Sequence, residues 1–160
     1  MITFHSHSGI YTLIARQIIE VGIDEAWEFF SSPANLRLIT PPEMGFVITS
    51  PAPSATAYHG QIISYKLHPV GKIKTNWVTE ITHVSGKKFF VDEQRKGPYR
   101  MWHHEHHFKD LNGRVEMTDR VTYRLPFGVL GKLVHDIFIK QKLREIFVYR
   151  KMKIEEIFKS

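Results

Sequence analysis

The chain has no cysteine among its 160 residues. That removes disulfides, thiolate metal sites and a cysteine nucleophile, and it fits an intracellular protein. No apolar run approaches the roughly 18 residues of a membrane span. The opening MITFHSHSGIYTL lacks the apolar core behind a basic region that marks a signal peptide. The expected location is therefore the cytoplasm. No phosphate-binding glycine loop, dinucleotide fingerprint or evident nucleophile occurs, so no cofactor and no metal is assigned. Low-complexity tracts, internal repeats and linkers are absent too. With 42% hydrophobic and 24% charged residues, the composition is that of a globular chain, and 1–160 reads as one domain.

The net charge is +6, with the basic residues gathered toward 140-KQKLREIFVYRKMK-153. A basic surface can recruit nucleic acid or anionic lipid. No aromatic–basic motif accompanies this one, so it reads as a solvated helix face and nucleic acid is not an expected partner.

Residues 10–21 (IYTLIARQIIEV) read as a strand rich in β-branched side chains. Asp24 is placed to cap a short helix, DEAWEFFS, and Pro33 suits the first turn of a second one, PANLRLI. Pro41-Pro42 ends it. From 44 to 125 the hydrophobic period is two, which predicts strands at 44–50, 58–68, 73–84, 87–95, 100–110 and 114–125. The breaks are 51-PAPS-54, 69-PVG-71, 85-SG-86, 97-GP-98 and 112-NG-113. Strands so close in sequence pair antiparallel, because parallel pairing needs long crossovers.

After Gly131 there is neither glycine nor proline. Leu130, Leu133, Val134, Ile137, Phe138, Ile146, Phe147, Ile154 and Ile157 form an apolar stripe with some drift around 139–143. A helix over 129–158 would be roughly 45 Å long. Its stripe needs a partner surface, and the sheet is the candidate. At its end, Ile154, Ile157 and Phe158 need cover from this chain or from a second one. The expected fold is α+β: a curved, seven-stranded antiparallel sheet around a long C-terminal helix, with two short helices between strands 1 and 2. A sheet curled in this way leaves a hollow suited to a small ligand.

The stretch 101-MWHHEHHF-108 holds four of the ten histidines. Asn112-Gly113 is a strong hairpin signal, and 114-RVEMTDRVTYRL-125 alternates cleanly after it. Val115, Met117, Asp119, Val121, Tyr123 and Leu125 take the core side. A two-residue turn sets His106 opposite Asp119; a four-residue turn sets His104 there instead. In both registers Trp102, His104, His106 and Phe108 point inward, while His103, Glu105 and His107 form an outer coat. The inward His104, His106 and Asp119 make a polar island among apolar neighbours. Left unpaired, each group would cost on the order of 1–3 kcal/mol. Three readings compete: a satisfied polar network beside a ligand cavity, a two-histidine–one-carboxylate metal triad, and an acid–base pair.

Three runs carry a family resemblance: E-Q-x-x-G-P-Y-x-x-W-x-H-x-H-x-F (93–108), M-T-D-R-V-x-Y-x-L-P-F-G (117–128) and L-R-x-I-F-x-Y-R (143–150). With 26-AWEFFSSPANLRLITPP-42, they resemble a bacterial subgroup of the START-like helix-grip superfamily (SRPBCC), which includes polyketide cyclases, plant pathogenesis-related allergens and lipid-transfer domains. The resemblance spans about residues 10 to 150. It implies a β-α-α-β6-α chain with a pocket between sheet and helix, and binding of lipids, sterols, hormones or polyketides. Some members act as enzymes on polyketide or aromatic substrates.

Expected pocket residues are Trp102, His104, His106, Asp119 and Tyr123, with Tyr65 and Trp77 from earlier strands. For 89–94 the parity stays open between Phe89/Val91/Glu93 and Phe90/Asp92/Gln94. The leading expectation is a binding module for a small hydrophobic or amphipathic molecule of lipid, polyketide or aromatic type. The alternative is a cyclase- or hydratase-type enzyme with His106–Asp119 as its acid–base unit.

Overall fold

The computed structural model describes residues 1–51, 56–70, 73–126, 128 and 133–159. Parts of the expected breaks at 51–54 and 69–71, and Leu130 of the stripe, lie outside them.

The strands are β1 (Ile2–His7), β2 (Ile10–Ile19), β3 (Val47–Ile48), β4 (Ile62–Val70), β5 (Ile73–Ser85), β6 (Phe89–Lys96), β7 (Met101–Asp110) and β8 (Val115–Arg124). They form one antiparallel sheet in the order β1-β2-β8-β7-β6-β5-β4-β3. Helix α1 (Ile23–Ser31) and two short 3₁₀ segments, Pro33–Ile39 and Pro42–Met44, lie between β2 and β3. Helix α2 (Lys140–Ile157) follows a wider, π-type turn at His135–Ile139. The architecture is the expected α+β helix-grip.

Among the described residues the sheet has eight strands rather than seven. The extra one is β1, which pairs with β2 through a turn at Ser8 and Gly9, both at positive φ. As an edge strand with no buried residue, β1 has backbone hydrogen bonds but no hydrophobic alternation to betray it. At the other edge, β3 keeps only two residues of the expected 44–50, because Pro42–Met44 turns and Gly45 ends that turn in the left-handed region.

Asp24 does not cap α1. The cap position is Gly22, and Asp24 sits inside the first turn, where its charge suits the helix N-terminus and its carboxylate meets Lys87 Nζ at 2.6 Å. The second short segment occupies Pro33–Ile39 as expected, but as a 3₁₀ helix.

The larger correction concerns the C-terminal stripe. Leu133, Val134, Ile137 and Phe138 are exposed, Ile137 at 71%. Phe147 and Ile154 of the stripe are buried as expected, and His135, Ile139, Leu143 and Arg150 join them in place of those four. A π-type turn holds more residues than an α-helical one, so it rotates the faces before it relative to those after it. That is the physical source of the drift seen at 139–143. One histidine and one arginine thereby take inward positions that hydropathy would not give them.

Three hydrophobic clusters fill the interior, and two of them join the helices to the sheet at its ends. Near α1, Phe158 sits against Phe29 and Phe30, with ring centroids 5.1 and 6.1 Å apart, so the helix end is covered by its own chain. Trp27 packs edge-on to Phe90 and Phe108 of the sheet. Toward the other end, Tyr11, Leu13, Val121 and Tyr123 meet Ile139, Leu143 and Phe147.

Ile154 is 1% exposed, and an Ile154→Ala variant is expected to lose about 2–5 kcal/mol of unfolding free energy in a denaturant titration. Ile137→Ala, on the exposed side, should change it by no more than about 0.5 kcal/mol.

Candidate functional site

The polar centre is built by strand register. Leu111 N–H donates to the Arg114 carbonyl at 2.8 Å, and Asn112 and Gly113 both take positive φ, as a tight two-residue hairpin turn requires. His106 therefore lies opposite Asp119, and His104 opposite Val121. On its other edge β7 pairs with β6, which sets Asp92 opposite His104 and Phe90 opposite His106. The parity left open for 89–94 is thus decided: Phe90 and Asp92 share the inward face with the two histidines. The outer coat pairs with itself, His103 Nδ1 with Glu93 at 2.9 Å and His107 Nε2 with Glu105 at 2.8 Å.

Each inward imidazole is bracketed by the same two carboxylates. His104 Nε2–H donates to Asp119 Oδ1 at 3.0 Å, and its Nδ1 faces Asp92 Oδ2 at 3.6 Å. His106 Nε2–H donates to Asp92 Oδ2 at 2.7 Å. Its Nδ1 lies 3.0 Å from Asp119 Oδ1, but without the alignment of a hydrogen bond. The expected His106–Asp119 pair is therefore a contact between cross-strand neighbours, whereas the aligned bonds run His104–Asp119 and His106–Asp92. The fifth member is Arg150 of α2, whose Nη2 lies 3.6 Å from Asp119 Oδ1. Its Nε is buried and has no hydrogen-bond partner among the described residues.

This crowding moves the titrations. Burial opposes a charge on Asp119, but Arg150 and then the two histidines outweigh it and hold the carboxyl well below the usual carboxylate range. Burial likewise opposes a charge on Asp92; His104, His106 and Arg150 overcome it, and that carboxyl also falls. The histidines part company. Burial, reinforced by the charge of His106, pushes His104 below the ordinary histidine value. Burial works in the same direction on His106, yet Asp119 and Asp92 outweigh it and its pKa rises. The site thus favours charge on both carboxylates and on Arg150, and favours a proton on His106 over one on His104.

A cavity of about 190 Å³ lies between the sheet and α2. One water needs roughly 10–15 Å³ by this measure, so there is room for on the order of ten. Ile63, Leu67, Ile81 and Phe90 line it from the sheet, Phe30 and Ile39 from the N-terminal helices, and Leu143, Ile146 and Phe147 from α2. Asp92, His104, His106 and Arg150 form its polar end. One donor atom from each of Asp92, His104 and His106 lies within 4.8 Å of the others, the spacing of a possible metal-ligand set.

Of the residues expected at the pocket, Tyr65, Trp77, Trp102, His104 and His106 line this cavity. Tyr65 and Trp77 are held in place by Thr79, whose Oγ1 meets the Tyr65 hydroxyl at 2.8 Å and accepts from Trp77 Nε1 at 3.1 Å. Asp119 stands one layer back, behind both imidazoles. Tyr123 lies elsewhere: its hydroxyl bonds His135 Nε2 at 2.8 Å in the second aromatic cluster. Its inward parity is as expected, but it sits further along β8, beyond the reach of the hollow. The lining residues without an assigned role from sequence include Asp92, because its strand parity was open; Arg150, because a charged residue on a basic helix reads as solvated; and Tyr99, in the Gly-Pro-Tyr loop. Tyr99 is pinned by Gln94, whose Nε2 donates to its carbonyl at 2.7 Å while Oε1 accepts from its N–H at 3.2 Å.

No protein-family model matches the chain, and no curated protein matches it in sequence. Solved structures do resemble it in fold. Ginseng major latex-like protein 151 from Panax ginseng matches with a TM-score of 0.67 at 13% identity, over 93% of this chain and 97% of that one. A protein from Arthrobacter aurescens gives 0.68 at 12%, over 96% and 91%. Ara h 8.0201 gives 0.62 at 14%, over 92% and 99%. At such identities the likeness is one of fold, the helix-grip fold. None of the helices described is long and apolar enough to cross a membrane.

The opposed shifts of the two histidines can be observed directly. In metal-free protein at pH 6.5, the ordinary histidine value, nitrogen-detected NMR of the imidazoles should show His106 mostly protonated and His104 mostly neutral. The reverse order would contradict the charge pattern of the site.

Proposed function

We propose that the protein binds a small amphipathic molecule of lipid, polyketide or aromatic type in the cavity between sheet and α2. The observation that carries this reading is the division of the cavity: apolar walls of aliphatic and aromatic side chains, closed at one end by Asp92, His104, His106 and Arg150. Binding sites for small molecules commonly combine apolar walls for affinity with a few convergent polar groups for orientation. Here the guanidinium offers the charged handle, because Arg150 lines the cavity beside the carboxylates and histidines and would face an anionic or hydrogen-bond-accepting oxygen of the ligand. Tyr65, Trp77, Trp102, His104 and His106 are the proposed contacts from the sheet, with Asp119 holding the histidines and Arg150 in place. In this reading Tyr123 supports the wall rather than touching the ligand.

Untagged protein purified without denaturation should bind a hydrophobic environment-sensitive dye saturably, with one site per chain. Ile146 is half-buried on the α2 wall, so an Ile146→Trp variant can fill the hollow without overpacking the deep core. Its dye affinity should fall at least tenfold while its circular dichroism is retained. A folded variant that binds as tightly as the parent would place the dye elsewhere and overturn the reading.

Two adjacent imidazoles at the cavity's polar end, with pKa values pushed in opposite directions, favour an acid–base use of the same cavity, since such a pair divides the roles of base and acid. The acid would then be His106 and the base His104, each oriented by a carboxylate. A cyclase- or hydratase-type activity on an aromatic or polyketide substrate should be lost in His106→Ala while its circular dichroism is retained. Turnover surviving that substitution would exclude the assigned role.

A further inference from the structure

The polar end of the cavity has the donor arrangement of a metal centre, and this goes beyond the binding of an amphipathic molecule. His104 and His106 occupy alternate positions on β7, so both imidazoles project to the same side with ring centroids 3.8 Å apart. Asp92 sits directly across from His104 on β6. All three line the cavity. Asp119 faces the opposite nitrogen of each ring and does not line the cavity, which gives it the place of the outer carboxylate that orients metal-binding imidazoles. Arg150 in turn approaches Asp119 from α2.

The ring contacts point the same way. His104 Nε2 is engaged by Asp119 Oδ1 at 3.0 Å, so Nδ1 is the nitrogen turned toward Asp92 Oδ2, and at 3.6 Å that pair is too far apart for a hydrogen bond. A cation held between the two atoms would bridge them. On the other side, His106 Nε2 lies 2.7 Å from the same oxygen. Donors bound tetrahedrally to zinc at about 2.0–2.1 Å lie roughly 3.3 Å apart. The observed 2.7 and 3.6 Å from Asp92 Oδ2 straddle that spacing, and the three donors all lie within 4.8 Å of one another.

We propose that Asp92 Oδ2, His104 Nδ1 and His106 Nε2 bind a divalent first-row transition-metal ion whose open positions face the apolar cavity. Binding at His106 Nε2 replaces any proton there, which moves to Nδ1 beside Asp119 or leaves to solvent. The charge of the loaded site selects ligands. Two carboxylates against Arg150 and a dication leave one excess positive charge. An anionic oxygen, as in a carboxylate, enolate or phenolate, restores the balance and occupies an open position. The ligand class for the loaded site is therefore an apolar molecule ending in such an oxygen.

The outer His103, Glu105 and His107 are the competing chelators, and the test separates them. Untagged full-length protein, stripped with chelator, is titrated with cobalt(II) by visible absorption and with zinc(II) by calorimetry. One equivalent per chain is expected, with affinity reduced at least tenfold in Asp92→Asn and in His104→Gln, and unchanged in the double variant His103→Ala/His107→Ala. Absence of stoichiometric uptake, uptake indifferent to Asp92→Asn and His104→Gln, or uptake lost in the outer double variant would each overturn the proposal. If an inner variant fails to fold, X-ray absorption of the cobalt-loaded outer double variant decides: a shell with two imidazoles supports the site, and an all-oxygen shell refutes it. Dye binding without metal binding would sink this inference alone and leave the cavity's proposed use standing.

Discussion

The register between β7 and β8 is the constraint on which the rest of the site depends. Side chains alternate across a strand, so a slip of one residue would turn His104, His106 and Phe108 to solvent and bring His103, Glu105 and His107 inside. The Asn112-Gly113 turn prevents this, because two consecutive residues at positive φ close the hairpin at one length. Every later feature inherits that choice. His106 faces Asp119 because of it, and β6 can then deliver Asp92 to the same face from the other side.

The buried network is the second consequence. Two carboxylates and two imidazoles within an apolar wall would be costly without mutual pairing. Here each carboxylate touches both rings, and a guanidinium from the opposite layer offsets the remaining charge. Arg150 reaches this place through the helix, not the sheet. The π-type turn at His135–Ile139 resets the helix phase, and the buried positions that follow are Ile139, Leu143, Phe147, Arg150 and Ile154. The same turn leaves Ile137 and Phe138 in solvent. Sheet and helix therefore meet at Asp119, and the cavity occupies the space beside that meeting point.

Much of this was legible in the residues. Period-two alternation from 44 to 125 located six strands, and the long stretch without glycine or proline located α2. The alternation in 114–125 isolated Asp119 as a carboxylate on an apolar face, and strand parity divided the histidine cluster correctly into inner and outer halves. What escaped reading shares a cause. Residues in β1 carry no hydrophobic alternation, since an edge strand is held by backbone pairing. Asp92 lies in a run where both alternate sets mix apolar and polar residues, so pattern alone cannot choose. Arg150 is a cation among cations, and only the carboxylate of another layer makes it a buried one.

Local sequence determined the elements and the face each strand turns inward, because turn chemistry and side-chain alternation act over a few residues. It also determined that a polar island would exist among apolar neighbours. Tertiary structure alone decided the island's membership and wiring. Which carboxylate bonds which imidazole depends on angles between strands and on a second carboxylate arriving from β6. The opposed shifts of His104 and His106 arise from burial and from charges distant in sequence. Such fields have no local signature, since they are summed over groups that only folding brings together.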